Sequence, residues 1–301
     1  MNLNNARYIL TILEEGSLSA AARKLYISQP ALSQTIRQVE NSLGTPIFDR
    51  NVRKLKLTYA GQKYVETARQ MLILEHNLRN EINEIQKENT GFLRFGIPKL
   101  QGPIILPAVL QKFKKKYPNV MLQIEEKGSS TLEEMIGRGD LDIALARTVK
   151  KHNSIAYHLV QKERMGLLAG KGNKIFEQYP NGTELDITDA LDESFVYLKE
   201  GHSARTFQDK LISERKITLK KLIELDSFET AKQVALDCGA VMITPLSFIM
   251  MDAQALNKAH LYPLKGIENS QHTYIIYHKK LYLTQYMKYW IKLICEFYSK
   301  I

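Results

Sequence analysis

Gln29, Ser33, Gln34 and Arg37 lie along a segment whose apolar residues Leu32, Ile36, Val39 and Leu43 recur at four-three-four spacing. That spacing gathers the apolar set into one buried stripe of a helix and turns the amides, the hydroxyl and the guanidinium outward. Groups of this kind make directional hydrogen bonds to base edges in a DNA major groove, or to the phosphates beside it. Ser28 has the chemistry of an N-cap, and Pro30 suits the first turn, where its missing N–H removes no intrahelical bond. The helix therefore begins at Gln29.

The elements around it are those needed to hold such a helix against a duplex. Ala20, Ala21 and Ala22 keep a first helix slim enough to lie close to the second; Leu25 ends it, and Tyr26 and Ile27 form the turn. Downstream, Leu55 and Leu57 alternate with Lys54, Lys56 and Thr58 at strand period, with Arg50 and Arg53 just before them. One face of this wing packs and the other is cationic, which suits phosphate neutralisation.

The stretches GSLSAAARKLYISQPALSQTIRQVENSLG and PIFDRNVRKLKLTYAG, with the long helix that follows, resemble the N-terminal domain of LysR-type transcriptional regulators, and the resemblance continues through the rest of the chain. It implies that the helix opening at SQPALS enters the major groove of double-stranded promoter DNA, with Gln29, Pro30 and Ser33 facing bases. Ser28, Arg37, Arg50, Arg53 and Thr58 would meet the backbone. Many members carry Arg where this chain has Gln34, so an amide replaces a guanidinium at that reading position. The resemblance also implies a bacterial, cytoplasmic, homo-oligomeric regulator, dimer or tetramer, that answers to a small-molecule effector and works with RNA polymerase.

A chain of 301 residues with 44% hydrophobic and 25% charged residues has room for two or three soluble domains. No stretch approaches eighteen apolar residues, and MNLNNARY lacks the layout of a signal peptide, so no membrane partner is expected. Cys238 and Cys295 are too few for a disulfide framework and are expected as buried thiols. The formal charge of +10 fits a nucleic-acid partner without locating it, because residues 1–58 hold eight Lys and Arg against four Asp and Glu. Lys112, Lys114, Lys115 and Lys116 are most simply the wet face of a helix whose inner face holds Ile105, Val109 and Phe113.

The expected fold is α/β: a winged helix-turn-helix over residues 1–58, a linker helix over 59–90, and a two-lobed, Rossmann-like effector domain over 91–301. Residues 59–89 contain no Pro and, after Gly61, no Gly, and Thr58 can cap them. Tyr64, Ala68, Met71, Leu78, Ile82 and Ile85 follow a four-three seam interrupted by Glu75. Self-association through Met71, Leu78 and Ile82 is the favoured reading, with an intramolecular partner as the alternative. Beyond Gly91 strands and helices alternate twice, which calls for parallel sheets with crossover helices. Lobe I takes 91–163 and 267–301, and lobe II takes 164–266, in the manner of periplasmic binding proteins.

A cleft between such lobes collects strand ends and helix N-termini, whose N–H groups favour anions. In the resembling family these junctions line the effector pocket, which carries over Lys99, Ser129, Arg147, His202, Ser203 and Ser227. Taken singly, each serine is more simply a helix cap than a ligand contact; the convergence of the set is the stronger signal. The hydroxyls and cations suggest a small carboxylate; alternatively Arg147 holds an Asp or Glu across the cleft. GHSAR resembles the peroxide-sensing branch of the same family, but serine stands where its reactive cysteine would be, which excludes thiol chemistry there.

Other chemistry is thin. GKGNK lacks the spacing of a phosphate loop, and His272 and His278 flank a strand without further metal ligands, so no metal or cofactor is expected. Asn181 opens a glycosylation sequon that a cytosolic chain does not expose to that machinery. No nucleophile, base and orienter assemble, so the chain is read as a non-enzyme. The rival classes are an enzyme or solute-binding protein built on the two lobes, and an architectural DNA-binding protein without an effector.

Overall fold

The computed structural model describes residues 2–49, 55–86, 90–148, 152–200, 202–250, 252–266 and 272–299. The first helix, α1 (Leu3–Glu15), buries Ala6, Ile9 and Ile12 and ends at Gly16, whose φ of 67° is left-handed. The two that follow, α2 (Leu18–Lys24) and α3 (Gln29–Leu43), begin where Ser17 and Ser28 accept hydrogen bonds from the N–H groups of Ala20 and Ala31. Ala21 and Ala22 are buried at the contact, with Leu32, Ile36 and Val39 beneath them. Burying Leu32, Ile36 and Val39 contributes about 1.5–3 kcal/mol each. Leu43, expected on that stripe, is 46% exposed because α3 reaches its last residue beyond the core. Glu40 is buried in its stead: its Oε1 accepts from the N–H groups of Ile47 and Phe48, at 2.8 and 3.3 Å.

That carboxylate anchors the wing, β1 (Phe48–Asp49) paired antiparallel with β2 (Lys56–Leu57). The next helix, α4 (Tyr59–Ile85), runs 27 residues, about 40 Å at 1.5 Å per residue. Thr58 caps it by accepting from Gly61 N–H at 2.9 Å and donating to the Pro46 carbonyl at 2.7 Å. A side chain at Gly61 would place Cβ 2.1 Å from the Ile47 carbonyl oxygen, so glycine lets the helix start flush against the wing. Ile85 ends the helix short of the expected 89, and residues 87–89 lie outside those described.

The remainder forms two five-stranded sheets. In lobe I, β3 (Gly91–Pro98), α5 (Gly102–Lys116), β4 (Val120–Lys127), α6 (Ser129–Arg138) and β5 (Ile143–Thr148) make parallel crossovers, and β6 (Ile155–Lys162) completes the segment. The chain then crosses to lobe II through β7 (Met165–Gly170) and α7 (Lys174–Gln178). There β8 (Ser194–Leu198), α8 (Ser203–Arg215), β9 (Lys220–Leu225), α9 (Phe228–Asp237) and β10 (Val241–Pro245) repeat the parallel unit. After α10 (Leu246–Met250), α11 (Ala253–Leu256) and β11 (Ala259–Pro263), the chain returns to lobe I as β12 (His272–His278) and α12 (Gln285–Tyr298).

Strand order is β4-β3-β5-β12-β6 in lobe I and β11-β7-β10-β8-β9 in lobe II. Both sheets are mixed rather than parallel, because the strands next to each crossing run antiparallel to their neighbours: β12 against β5 and β6, and β7 against β10 and β11. A chain that leaves a lobe and later returns must reverse direction at those strands. Lobe I is filled by Trp290, whose ring meets Phe95 and Phe113 edge-on at 5.2 and 4.9 Å between centroids. Ile105, Val109 and Phe113 face inward on α5, as their spacing predicts. Cys295 is half-buried, whereas Cys238 is exposed as the C-cap residue of α9, where the apolar pattern of that helix has already stopped.

Candidate DNA interface and effector cleft

The outer face of α3 presents Gln29, Pro30, Gln34 and Arg37 exposed to solvent, with Ser33 half-buried. Ser28 uses its hydroxyl as the helix cap, and Ser19 of α2 donates to Gln29 Oε1 at 3.0 Å. The Gln29 side chain at the helix start is thereby oriented by the neighbouring helix. Thr58 spends its hydroxyl on the α4 cap and Pro46, which leaves it half-buried at the base of the wing. Lys56 is exposed on β2; Arg50, Arg53 and Lys54 lie outside the described residues. Lys24 is tied to Glu14 and Glu15 at 3.2 and 2.8 Å, and the hydrogen bonds to Glu15 and then Glu14 raise its pKa.

The seam read from the sequence divides in two. Tyr64 and Ala68 are buried in the core of the head, and Met71 is half-buried. Leu78 and Ile82 are exposed, and Leu74 and Ile85 extend them into an apolar stripe on α4. A different face of the same helix, with Ile73, Asn77 and Asn80 buried, packs on lobe I.

Of the six cleft residues, Lys99 is exposed in the turn after β3 and lines a cavity of about 530 Å³. The opposite wall comes from lobe II: Phe228, Lys232, Phe248 and Asp252. Arg147, near the end of β5, is buried with its Nε 3.8 Å from Glu163 Oε1 and its guanidinium carbon 4.7 Å from the Phe248 ring centre. Burial pushes its pKa down, while the Glu163 carboxylate opposes that shift. Glu163 also accepts from Ser247 and Thr273 hydroxyls, at 2.6 and 2.8 Å. Arg147 thus faces an acid of its own lobe, at the crossing into lobe II, rather than one across the cleft. Ser129 begins α6 and accepts from the Arg147 N–H at 2.9 Å.

On lobe II, His202 Nε2 lies 3.5 Å from Asp226 Oδ1, and the adjacent Ser227 caps α9 by accepting from Thr230 N–H. Ser203 opens α8. The structure therefore joins Arg147 with Ser129 through the Arg147 backbone, and places His202 and Ser227 on either side of Asp226, while Lys99 lines the cavity whose far wall includes Phe248, the ring beside Arg147. Sequence reasoning missed Lys232, which is buried between Asp252 and Glu229, each 2.5 Å from its Nζ. Burial works against its charge, but the hydrogen bonds it donates to Asp252 and Glu229 outweigh it and raise its pKa. An i,i+3 Glu229–Lys232 pair was the available signal, indistinguishable in sequence from a surface pair.

No group of three or more His, Cys, Asp or Glu arranged for a metal ion occurs among the described residues, and none of their helices is long and apolar enough to cross a membrane. Residues 3–62 match the family model of bacterial regulatory helix-turn-helix proteins of the lysR family, and residues 86–297 match the LysR substrate binding domain. The uncharacterized HTH-type transcriptional regulator YybE of Bacillus subtilis is 26% identical over 231 residues, 77% of this chain and 78% of its own length. Among solved structures, a full-length OxyR variant from Pseudomonas aeruginosa superposes with a TM-score of 0.71 at 22% identity, covering 99% of this chain and 94% of that one. Full-length CbnR in complex with its target DNA superposes at 0.57 with 18% identity, covering 98% and 99%. The chain belongs to the LysR family of transcriptional regulators, a DNA-binding helix-turn-helix joined to an effector-binding domain.

Proposed function

We propose that this protein binds promoter DNA sequence-specifically as a dimer or tetramer, and that a small carboxylate in the interlobe cleft changes its action there. The supporting observation is the capped helix α3, which leaves Gln29, Gln34 and Arg37 exposed on one face of a rigid three-helix core. Gln29, Pro30, Ser33 and Gln34 face bases in this reading, and Arg37, with Arg50 and Arg53, meets phosphates. Two heads brought together by the exposed stripe of α4 would suit half-sites about one helical turn, or a multiple, apart.

The carboxylate reading is supported by the exposed cation Lys99, which lines the 530 Å³ cavity. An occupant shifts the regulator only if it binds one arrangement of the lobes more tightly than another. The protein works in the cytoplasm with RNA polymerase, and needs no cofactor and performs no catalysis in this reading. Sequencing the DNA recovered with the purified full-length protein tests it. A recurrent dyad site supports regulation, and random fragments support an architectural role.

A further inference from the structure

We infer that α4 is fastened to lobe I by Asn77, His76 and Glu84, and that this joint makes the direction of the reading head follow lobe I. The inference rests on the regulatory reading above and adds the residues that would carry its signal. Asn77 is buried on α4, and both ends of its amide are used: Nδ2 donates to the Lys280 carbonyl at 2.6 Å, and Oδ1 accepts from Tyr282 N–H at 2.8 Å. One amide thereby grips the backbone of the turn between β12 and α12 as a neighbouring strand would.

Two turns further along, Glu84 accepts from the Tyr282 hydroxyl at 2.7 Å and from Gln285 N–H, at the start of α12. On the other side, His76 Nε2 lies 3.0 Å from Asp142 Oδ1. Asp142 is fully buried and already fixed by Arg94, through its N–H at 2.8 Å and its guanidinium at 2.6 Å. Apart from the Tyr282 hydroxyl these partners are backbone groups or a clamped carboxylate, so the helix is held to rigid parts of lobe I.

Ile73 completes the contact under Gly139, where an added Cβ would come within 2.9 Å of the isoleucine side chain. Between α1 and lobe I lies a cavity of about 390 Å³, bounded along α4 by Arg69 and His76. The head therefore faces lobe I across a gap in this region, and α4 bridges it. The hydrogen bonds come from one strip of the helix, separate from the exposed stripe of Leu78 and Ile82. One helix can then hold lobe I and a second copy at once.

The test uses full-length protein with Cys238→Ser and Cys295→Ser, spin labels at Gln38→Cys and Lys112→Cys, and excess unlabelled chain. Pulsed dipolar spectroscopy reads the distance between head and lobe I. Asn77→Ala should broaden that distribution at least about twofold and speed exchange of the Tyr282 amide about tenfold, while the amides of Trp290 and Leu293 keep their protection. Tyr282→Phe removes only the hydroxyl on Glu84 and should give a smaller change of the same sign, which serves if Asn77→Ala fails to fold.

On a duplex selected by the protein from a random library, both variants should alter the bend angle with little loss of affinity for a single half-site. Unchanged distances overturn the joint. Broadened distances with an unchanged bend overturn its role in positioning the head. Failure to select any duplex instead removes the regulatory reading, and the distance measurement still decides whether the joint exists.

Discussion

Ser19 of α2 donates its hydroxyl proton to the side-chain oxygen of Gln29, the first residue of α3, at 3.0 Å. The carboxamide is thereby oriented before DNA arrives, with its NH₂ left to donate. Gln29→Ala and Ser33→Ala should each lose about 1–3 kcal/mol of preference for the cognate over a scrambled duplex. Ser19→Ala should lose less, about 1 kcal/mol, because it removes the orienting bond alone. Arg37→Ala should weaken both duplexes alike and lower the salt slope by about one. Competition binding at several salt concentrations measures all four; unchanged discrimination in Gln29→Ala would show that α3 does not read this position.

Leu78 is 58% exposed on the single chain, so glutamate there leaves the folded monomer intact. In a helix pair the same change buries an unpartnered charge. Leu78→Glu is expected to raise the dimer dissociation constant at least tenfold, about 1.4 kcal/mol or more. It should weaken binding to a two-half-site duplex far more than to one half-site. An unchanged sedimentation coefficient would exclude this stripe as the main contact between copies.

Lys99 and Arg147 separate binding from folding in the cleft. Lys99 is exposed, so Lys99→Ala should leave the melting temperature in place while weakening a carboxylate effector by about 1.5–3 kcal/mol. Arg147→Ala strands the buried Glu163 without its guanidinium neighbour and should destabilise the fold by about 3 kcal/mol. Ser129→Ala should weaken the effector with DNA binding intact. Calorimetric titration against a panel of small metabolic acids, beside thermal melts, reads both effects. Full affinity for the acid in Lys99→Ala and Ser129→Ala together would remove the proposed pocket.

Burial opposes the charge on Asp142, but hydrogen bonds from His76 and Arg94 outweigh it and hold its pKa below the usual carboxylate value. A depressed folded-state pKa gives stability that is present above the unfolded value, near 4, and lost as pH falls through the folded one. Asp142→Ala should therefore destabilise the protein by about 3 kcal/mol at pH 7. The gap between wild type and variant should narrow as pH drops below about 4. Chemical denaturation across that range tests it, and a gap independent of pH would mean that the carboxylate charge is not what stabilises the fold.

The helix-turn-helix was legible because its signals are local. Ser28 and Pro30 set the start of α3, and Leu32, Ile36 and Val39 set its buried side. Leu43 fits the same period but lies past the last neighbour that could cover it, and periodicity alone does not show where a core ends. Glu40 was invisible for the opposite reason, since the Ile47 and Phe48 N–H groups that make its burial favourable belong to the wing. The same holds for Asn77, whose partners are backbone groups about two hundred residues away in sequence. The lobes could be read from the strand-helix alternation. The antiparallel β12 could not, because only the path of the whole chain determines its direction.

Lobe I is assembled from two pieces of chain, and the later piece is structural at its centre: β12 lies between β5 and β6, and α12 brings Trp290. On the ribosome, residues 91–162 emerge long before the strand that completes their sheet, whereas lobe II is contiguous and can close first. The N-terminal head can likewise fold early. The turn that receives Asn77 and Glu84 belongs to the late piece, so the head is locked to the effector domain only after residues 280–285 have emerged. A prematurely terminated polypeptide ending before His272 would keep a folded head capable of occupying DNA, yet would have neither a closed lobe I sheet nor the turn that fastens α4.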